Sequence, residues 1–228
     1  MDNRNIQSIF QTPEFNDLNV GDFYDKFKND SNFRQLKEIK ELHTDLMEDC
    51  KLVPRYFDER GNKVNGWSIN EKRGNKPYEP PLGWIGIGLK VLDKYDCGDN
   101  NWIEKNSRDE WCVAYHGIMG ANDDVSKQII NHIITRGFKE GRGQMIQDDE
   151  DIFHPGQKVG TGIYFTPSIK IAENYSTALN FGDEKYKTVL MVRVKPDKIR
   201  KSAKNDFFWV VNGNSDEVRP YRILFKKL

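Results

Sequence analysis

The chain has 228 residues, of which 37% are hydrophobic and 31% charged, with 35 basic and 35 acidic side chains. Zero formal charge excludes the basic excess of a general nucleic-acid or membrane-surface binder. A content of 13 Phe, 9 Tyr and 5 Trp excludes a disordered chain.

Residues 1–30 are polar with scattered Phe, and read as short helices or an arm. Phe33, Leu36, Ile39, Leu42 and Leu46 then recur at three- and four-residue spacing, which predicts an amphipathic helix capped by Asp30 or Ser31, with His43 on its surface. Residues 51–82 are rich in Gly, Pro and Asn and read as loops with one hairpin. Gly83-Trp84-Ile85-Gly86-Ile87-Gly88 has neither the third glycine of a dinucleotide fingerprint nor the ending of a P-loop, so it reads as a tight turn or packed strand with close backbone approach. Trp111 to Tyr115 is a buried-type strand ending at His116-Gly117. A helix follows, with Val125, Ile129, Ile130, Ile133 and Ile134 on its apolar face, Asp123 or Asp124 near its start and Gly137 as its C-cap. A glycine-rich, acidic loop runs to Gly160. Gly162 to Phe165, Thr188 to Val194, Phe207 to Val211 and Tyr221 to Phe225 are predicted strands, and Ser168 to Tyr175 a helix. Many strands with few, short helices give an α+β class.

Cys50, Cys97 and Cys112 are odd in number and widely spaced, so neither a disulfide framework nor a metal site is expected. No stretch approaches the roughly 18 apolar residues of a membrane span. The expected setting is a reducing one, cytoplasmic or nuclear, without membrane contact.

Three pieces carry potential chemistry: Tyr115-His116-Gly117; Gly160 to Thr166 with Tyr175; and Asp216-Glu217-Val218. Each borders a predicted strand, and strand ends of one sheet can converge on one cleft. Taken singly, each has an ordinary structural explanation. Together, in order and spacing, they resemble the diphtheria-toxin-like, His-Tyr-Glu branch of ADP-ribosyltransferases, which includes the poly(ADP-ribose) polymerase catalytic domains. In that family a His-Gly pair ends a strand, a helix and a Gly follow, Gly-x-Tyr-Phe comes next, and a second Tyr stands eleven residues on, as Tyr164 and Tyr175 do here. There is a looser likeness to the transferase-like domain of neuralized-like proteins.

The resemblance covers residues 111–228 and implies a split β-sheet core there, with residues 1–110 as a helical, loop-rich extension. It implies NAD as substrate, a mono-ADP-ribosyltransferase passing ADP-ribose to a protein acceptor, or else a catalytically weak or inactive NAD- or ADP-ribose-binding module. By resemblance, Gly117 meets the nicotinamide carboxamide, Tyr164 and Tyr175 sandwich the ring, His116 bonds a ribose hydroxyl, and Glu217 is the catalytic carboxylate with Asp216 as its fallback. A cationic leaving group makes sense of these types: aromatic faces hold the ring, and a carboxylate stabilises the oxocarbenium-like sugar. The chain departs from the polymerase pattern at Ala172, where those enzymes place a Ser, and at Pro220, where their strand continues. The acidic run Asp148-Asp149-Glu150-Asp151 and the basic residues Arg193, Lys195, Lys198, Arg200, Lys201 and Lys204 read as solvated faces. The sharper readings are recognition of a basic acceptor by the first and of phosphate, nucleic acid or an acidic protein by the second. A monomer is expected.

Overall fold

The structure, a computed structural model, describes residues 31–64, 66–69, 71–139 and 145–228, with the side chains of 31–34 left aside. The readings made for residues 1–30 and for the Phe33 side chain lie outside what is described. Two compact units are distinguished, Met1–Glu41 and Leu42–Leu228. Helix α1, Ser31–Asp49, begins in the first, where Lys37 and Glu41 pair one turn apart at 3.5 Å, and ends in the second. The expected division between residues 110 and 111 falls inside the second unit.

That unit is mixed α and β. In chain order it holds a hairpin, β1 (Lys72–Arg73) and β2 (Lys76–Pro77), then β3 (Ile85–Gly88), β4 (Cys112–Gly117), α2 (Asp123–Arg136), β5 (Ile163–Phe165), α3 (Ile169–Asn174), β6 (Ala178–Phe181), β7 (Glu184–Val194), β8 (Trp209–Val211) and β9 (Val218–Lys227). A five-stranded antiparallel sheet has the order β3-β9-β7-β4, and β6 pairs with the first part of β7. Strand β7 is buried without interruption from Thr188 to Val194, as a strand covered on both faces must be. Val113, Tyr115, Val189, Met191 and Leu224 pack with Trp84 and with Ile169 and Ala172 of α3. Because β3 pairs with β9 from Ile85↔Phe225 to Gly88↔Arg222, residues well before 111 belong to the same sheet. The reading of Gly83 to Leu89 as a packed strand matches β3: a Cβ on Gly88 would meet Gly61 Cα at 2.5 Å.

Strands β5 and β8 form a separate ribbon, Ile163↔Val211 to Phe165↔Trp209. It touches the main sheet through one bridge, in which Tyr115 and Thr166 exchange backbone hydrogen bonds of 2.8 and 3.1 Å. Beyond Tyr115 the ribbon and β4 diverge, which opens the space described below.

Pro220 does not end β9. It pairs with Val192 at a β-bulge between Met191 and Val192, beyond the end of β3, so its missing N–H leaves no ladder bond broken.

Several local expectations change. Asp123 and Asp124 stand in the first turn of α2, and the residue before them, Asn122, caps it, its Oδ1 accepting from Val125 N at 2.9 Å; Gly137 closes the helix at φ 91°. His43 is not a surface residue: its ring meets Phe57 edge-on at 4.4 Å, and Nε2 is buried without a partner among the described residues. The acidic and basic runs meet at two points. Asp149 accepts from Ser202 at 2.5 Å and pairs with Lys204 at 3.4 Å, and buried Asp151 accepts from the Lys201 amide at 3.0 Å and from His154. Arg193 is 3% exposed and holds Glu110 and the carbonyls of Trp111 and Ile103, so it belongs to no surface patch. No helix among the described residues is long and apolar enough to cross a membrane.

Candidate functional site

The divergence of β5 from β4 leaves a cleft of about 700 Å³ between the end of β4, helix α2, the β5–β8 ribbon and the end of α3. His116, Gly117, Tyr164 and Tyr175, four of the residues singled out in the sequence, all line it.

The backbone of Gly117 is the first feature. Along an antiparallel strand, successive residues direct N–H and C=O to opposite edges. Ile118 N donates to Thr188 O at 3.3 Å, so residues 118 and 116 face β7; Tyr115, bonded to Thr166, faces the other edge, and Gly117 shares its direction. Since the ribbon has already diverged there, the Gly117 N–H and C=O find no partner among the described residues. One donor and one acceptor are left side by side at the cleft. Gly117 is also where the end of α3 comes closest. A Cβ would overlap the carbonyl oxygen of Ala172 and lie 2.6 Å from that of Tyr175. Glycine is therefore required at 117 by the protein's own packing, independently of any ligand.

His116 is held by its neighbour strand. Its Nδ1 lies 2.9 Å from the carbonyl oxygen of Tyr164, which can only accept, so Nδ1 carries the proton of the neutral ring and Nε2 is left as an acceptor. Burial lowers the His116 pKa below the usual imidazole value, against the smaller opposing pull of the Tyr164 carbonyl, and keeps the ring neutral near pH 7. Phe138 and Phe165 wedge the imidazole at 5.3 and 5.4 Å between centroids.

The two tyrosines do not face each other as a simple sandwich. Both meet the edge or face of Phe208, Tyr164 at 5.6 Å and Tyr175 at 5.4 Å. The Tyr164 hydroxyl accepts from Ile146 N at 3.1 Å, which fixes the ring; Tyr175, at the C-cap of α3, is 44% exposed on the rim. Ala172 lines the cleft without a hydroxyl, and Ser168 cannot replace it: its Oγ caps α3 and donates to Glu79 at 2.6 Å.

Glu217 does not join this group. Its backbone carbonyl accepts from Lys195 N, and the next residue, Val218, pairs with Val194, which pairs with Cys112 at the start of β4. His116, near the other end of β4, is level with Leu190 and hence with Ile223. At about 3.3 Å per strand residue this separates Glu217 from the His116 level by roughly 15–20 Å. The Glu217 carboxylate instead accepts from Asn212 N and Nδ2, each at 2.8 Å, and organises the turn before β9. Asp216 is exposed in the same turn, its amide bonded to Asn214 Oδ1. Strand register thus does not bring Glu217 or Asp216 level with His116, and no carboxylate lines the cleft among the described residues.

Phe208 is the residue that sequence reasoning missed. It comes from β8's leading edge, packs with Ile146, Val159 and Val210, and reaches the cleft while Phe207 points out. The aromatic run Phe207-Phe208-Trp209 was the available signal, but which of two adjacent phenylalanines turns inward depends on pairing with β5. Helix α2 also contributes. Ile130, Ile133 and Ile134 are buried, and Val125, Ile129 and Ile133, on the same predicted stripe, line the cleft. The chain matches no protein-family model and no curated protein.

Proposed function

We propose that this cleft binds NAD through its nicotinamide end, in a domain of ADP-ribosyltransferase-like build. The observation that carries the reading is the unclaimed N–H and C=O of Gly117, set between the neutral His116 and the aromatic group of Tyr164, Phe208 and Tyr175. A primary carboxamide presents its C=O acceptor and an N–H donor side by side in a plane, the complement of that backbone edge, and keeps a second N–H free. A flat pyridinium gains from aromatic faces in an apolar site, by about 0.5–2 kcal/mol for a cation over a ring. A ribose hydroxyl would donate to the His116 Nε2. The split between the five-stranded sheet and the β5–β8 ribbon supports the transferase-like core.

Of the two outcomes for bound NAD, retention is favoured over transfer. Cleavage at the glycosidic bond would develop positive charge on the sugar, and the position of Glu217 supplies no carboxylate to stabilise it. Mono-ADP-ribosylation of a protein acceptor remains the second reading, favoured by the His116, Gly117 and Tyr164 set.

Calorimetry with NAD and a nicotinamide-release assay test both. Binding by the wild type, at least tenfold weaker in Tyr164→Ala (about 1.4 kcal/mol), with no release above the enzyme-free rate, is the expected result. Absence of NAD binding would refute the assignment of the cleft. Nicotinamide release that falls in Glu217→Gln would instead restore the transferase reading and the role first given to that residue.

A further inference from the structure

A second cavity, of about 380 Å³, shares no lining residue with the aromatic cleft. Arg60, Lys63, Arg73, Lys105, Arg193 and Arg222 line it, against two carboxylates, Asp58 and Glu71. Most of these charges are paired. Asp58 holds Arg60 at 2.6 Å; Glu71 holds Lys105 at 2.8 Å and Arg73 at 3.4 Å; Glu110, behind the wall, holds Arg73 at 3.1 Å and Arg193 at 3.2 Å. Lys63 and Arg222 remain, with no carboxylate in ion-pair contact among the described residues.

Arg222 donates Nε to the Gly61 carbonyl at 2.8 Å and sets Nη1 3.8 Å from the Met191 sulfur; Nη2 has no hydrogen-bond partner among the described residues. Lys63 Nζ lies 4.8 Å from the Trp67 ring centre and the Arg222 guanidinium carbon 5.2 Å from the same centre. The two charges are therefore within about 10 Å of each other. The β9 bulge explains why neighbouring residues Tyr221 and Arg222 line one cavity, since a bulge breaks the strict alternation of side chains. Burial lowers the proton affinity of both cations, and for Lys63 the nearby Arg222 adds to it, against a smaller opposing pull from Glu71. Two cations partly removed from water and lining one cavity are costly unless an anion joins them. Leu89 and Val91 give the cavity an apolar wall.

The geometry points to an oxyanion site: a small phosphate ester, its phosphoryl oxygens on Lys63 Nζ and Arg222 Nη2, its carbon body along Leu89 and Val91. Guanidinium and ammonium groups supply charge-assisted donors for such oxygens, and an ester with a compact apolar group uses both parts of the cavity. This site does not depend on the reading of the aromatic cleft.

Calorimetry on the full chain with phenyl phosphate, inorganic phosphate and phenol tests it. Phenyl phosphate is expected to bind, inorganic phosphate more weakly, and phenol not at all. Lys63→Met should weaken phenyl phosphate ~10–100-fold, the range for one lost charge-assisted contact. Arg222→Lys should weaken it about tenfold while keeping the charge. Tyr164→Ala should leave it unchanged. If Arg222→Lys fails to fold, Lys63→Met, whose ammonium has no hydrogen bond or ion pair among the described residues, decides. The proposal is overturned if phenyl phosphate does not bind at millimolar concentration, if folded Lys63→Met binds it as well as wild type, or if phenol binds equally.

Discussion

Substituting Gly117 by Ala puts the packing of the cleft to a direct test. The new methyl group would lie 2.6 Å from the Tyr175 carbonyl oxygen and 2.7 Å from its carbon, and closer still to the Ala172 carbonyl oxygen. Ordinary contact for such atoms begins near 3.4 Å, so the end of α3 must retreat by about 1 Å. These are backbone atoms, and no rotamer change relieves the overlap. Helix α3 is itself anchored: Ile169 and Ala172 are in the core beneath Tyr115 and Met191. An extra methyl in a packed site costs typically 1–3 kcal/mol, and a clash with two backbone carbonyls belongs in the upper half, about 2–3 kcal/mol. With a urea slope of about 1–3 kcal/mol/M, the unfolding midpoint should fall by roughly 1 M. The same retreat carries Tyr175 away from Phe208, so NAD affinity should fall in the variant even though no side chain was removed. A loss of stability under about 0.5 kcal/mol would refute the close approach of α3 to β4 and the reason given for glycine at this position.

Arg219 is 2% exposed, donates to both Asp96 oxygens at 2.6 and 2.8 Å and to the Ser215 carbonyl at 2.7 Å, and lies 4.2 to 4.8 Å from the ring centres of Trp111, Tyr95 and Trp102. Asp96 is nearly half exposed, so the ion pair itself counts for little; the lost ring contacts and stranded carbonyl should make Arg219→Met less stable by about 2–4 kcal/mol in urea unfolding. A neutral effect would mean that the aromatic cage does not depend on the cation. The hydrogen bond from Lys105, followed by the charges of Arg73 and Lys105, lowers the Glu71 carboxyl pKa from 4.5 to about 2 against the opposing effect of burial. A depressed carboxyl binds fewer protons folded than unfolded, so its contribution is present above about pH 4.5 and is lost as pH falls through about 2. Urea midpoints measured between pH 6 and pH 3 should therefore decline less steeply in Glu71→Gln than in wild type; parallel declines would exclude the coupling.

Much of the fold was legible before any coordinates. The 3.6-residue spacing of isoleucines located α2, and the run Thr188 to Val194 located the central strand, because burying apolar groups imposes those periods on any helix or strand. Gly137 marked the end of α2 and Ser168 the start of α3 for equally local reasons. His116, Gly117, Tyr164 and Tyr175 were identified as one group from order and spacing, and they do meet around one cleft.

What distance along the chain could not settle was register. Glu217 and His116 both border strands of the same sheet, yet β9 runs so that its first residue pairs at the far end of β7 from the cleft, and the carboxylate is used in a turn instead. Phe208 takes a cleft position because β8 pairs with β5, a contact between residues some forty positions apart that no local pattern encodes. The basic residues of the second cavity are likewise scattered from Arg60 to Arg222, and only the sheet and its bulge gather them. Local propensity and periodicity are properties of short segments and can be read from them. Which side chains face a common space, and which charges are left without a partner, follow from pairings between distant strands, and those only the folded chain decides.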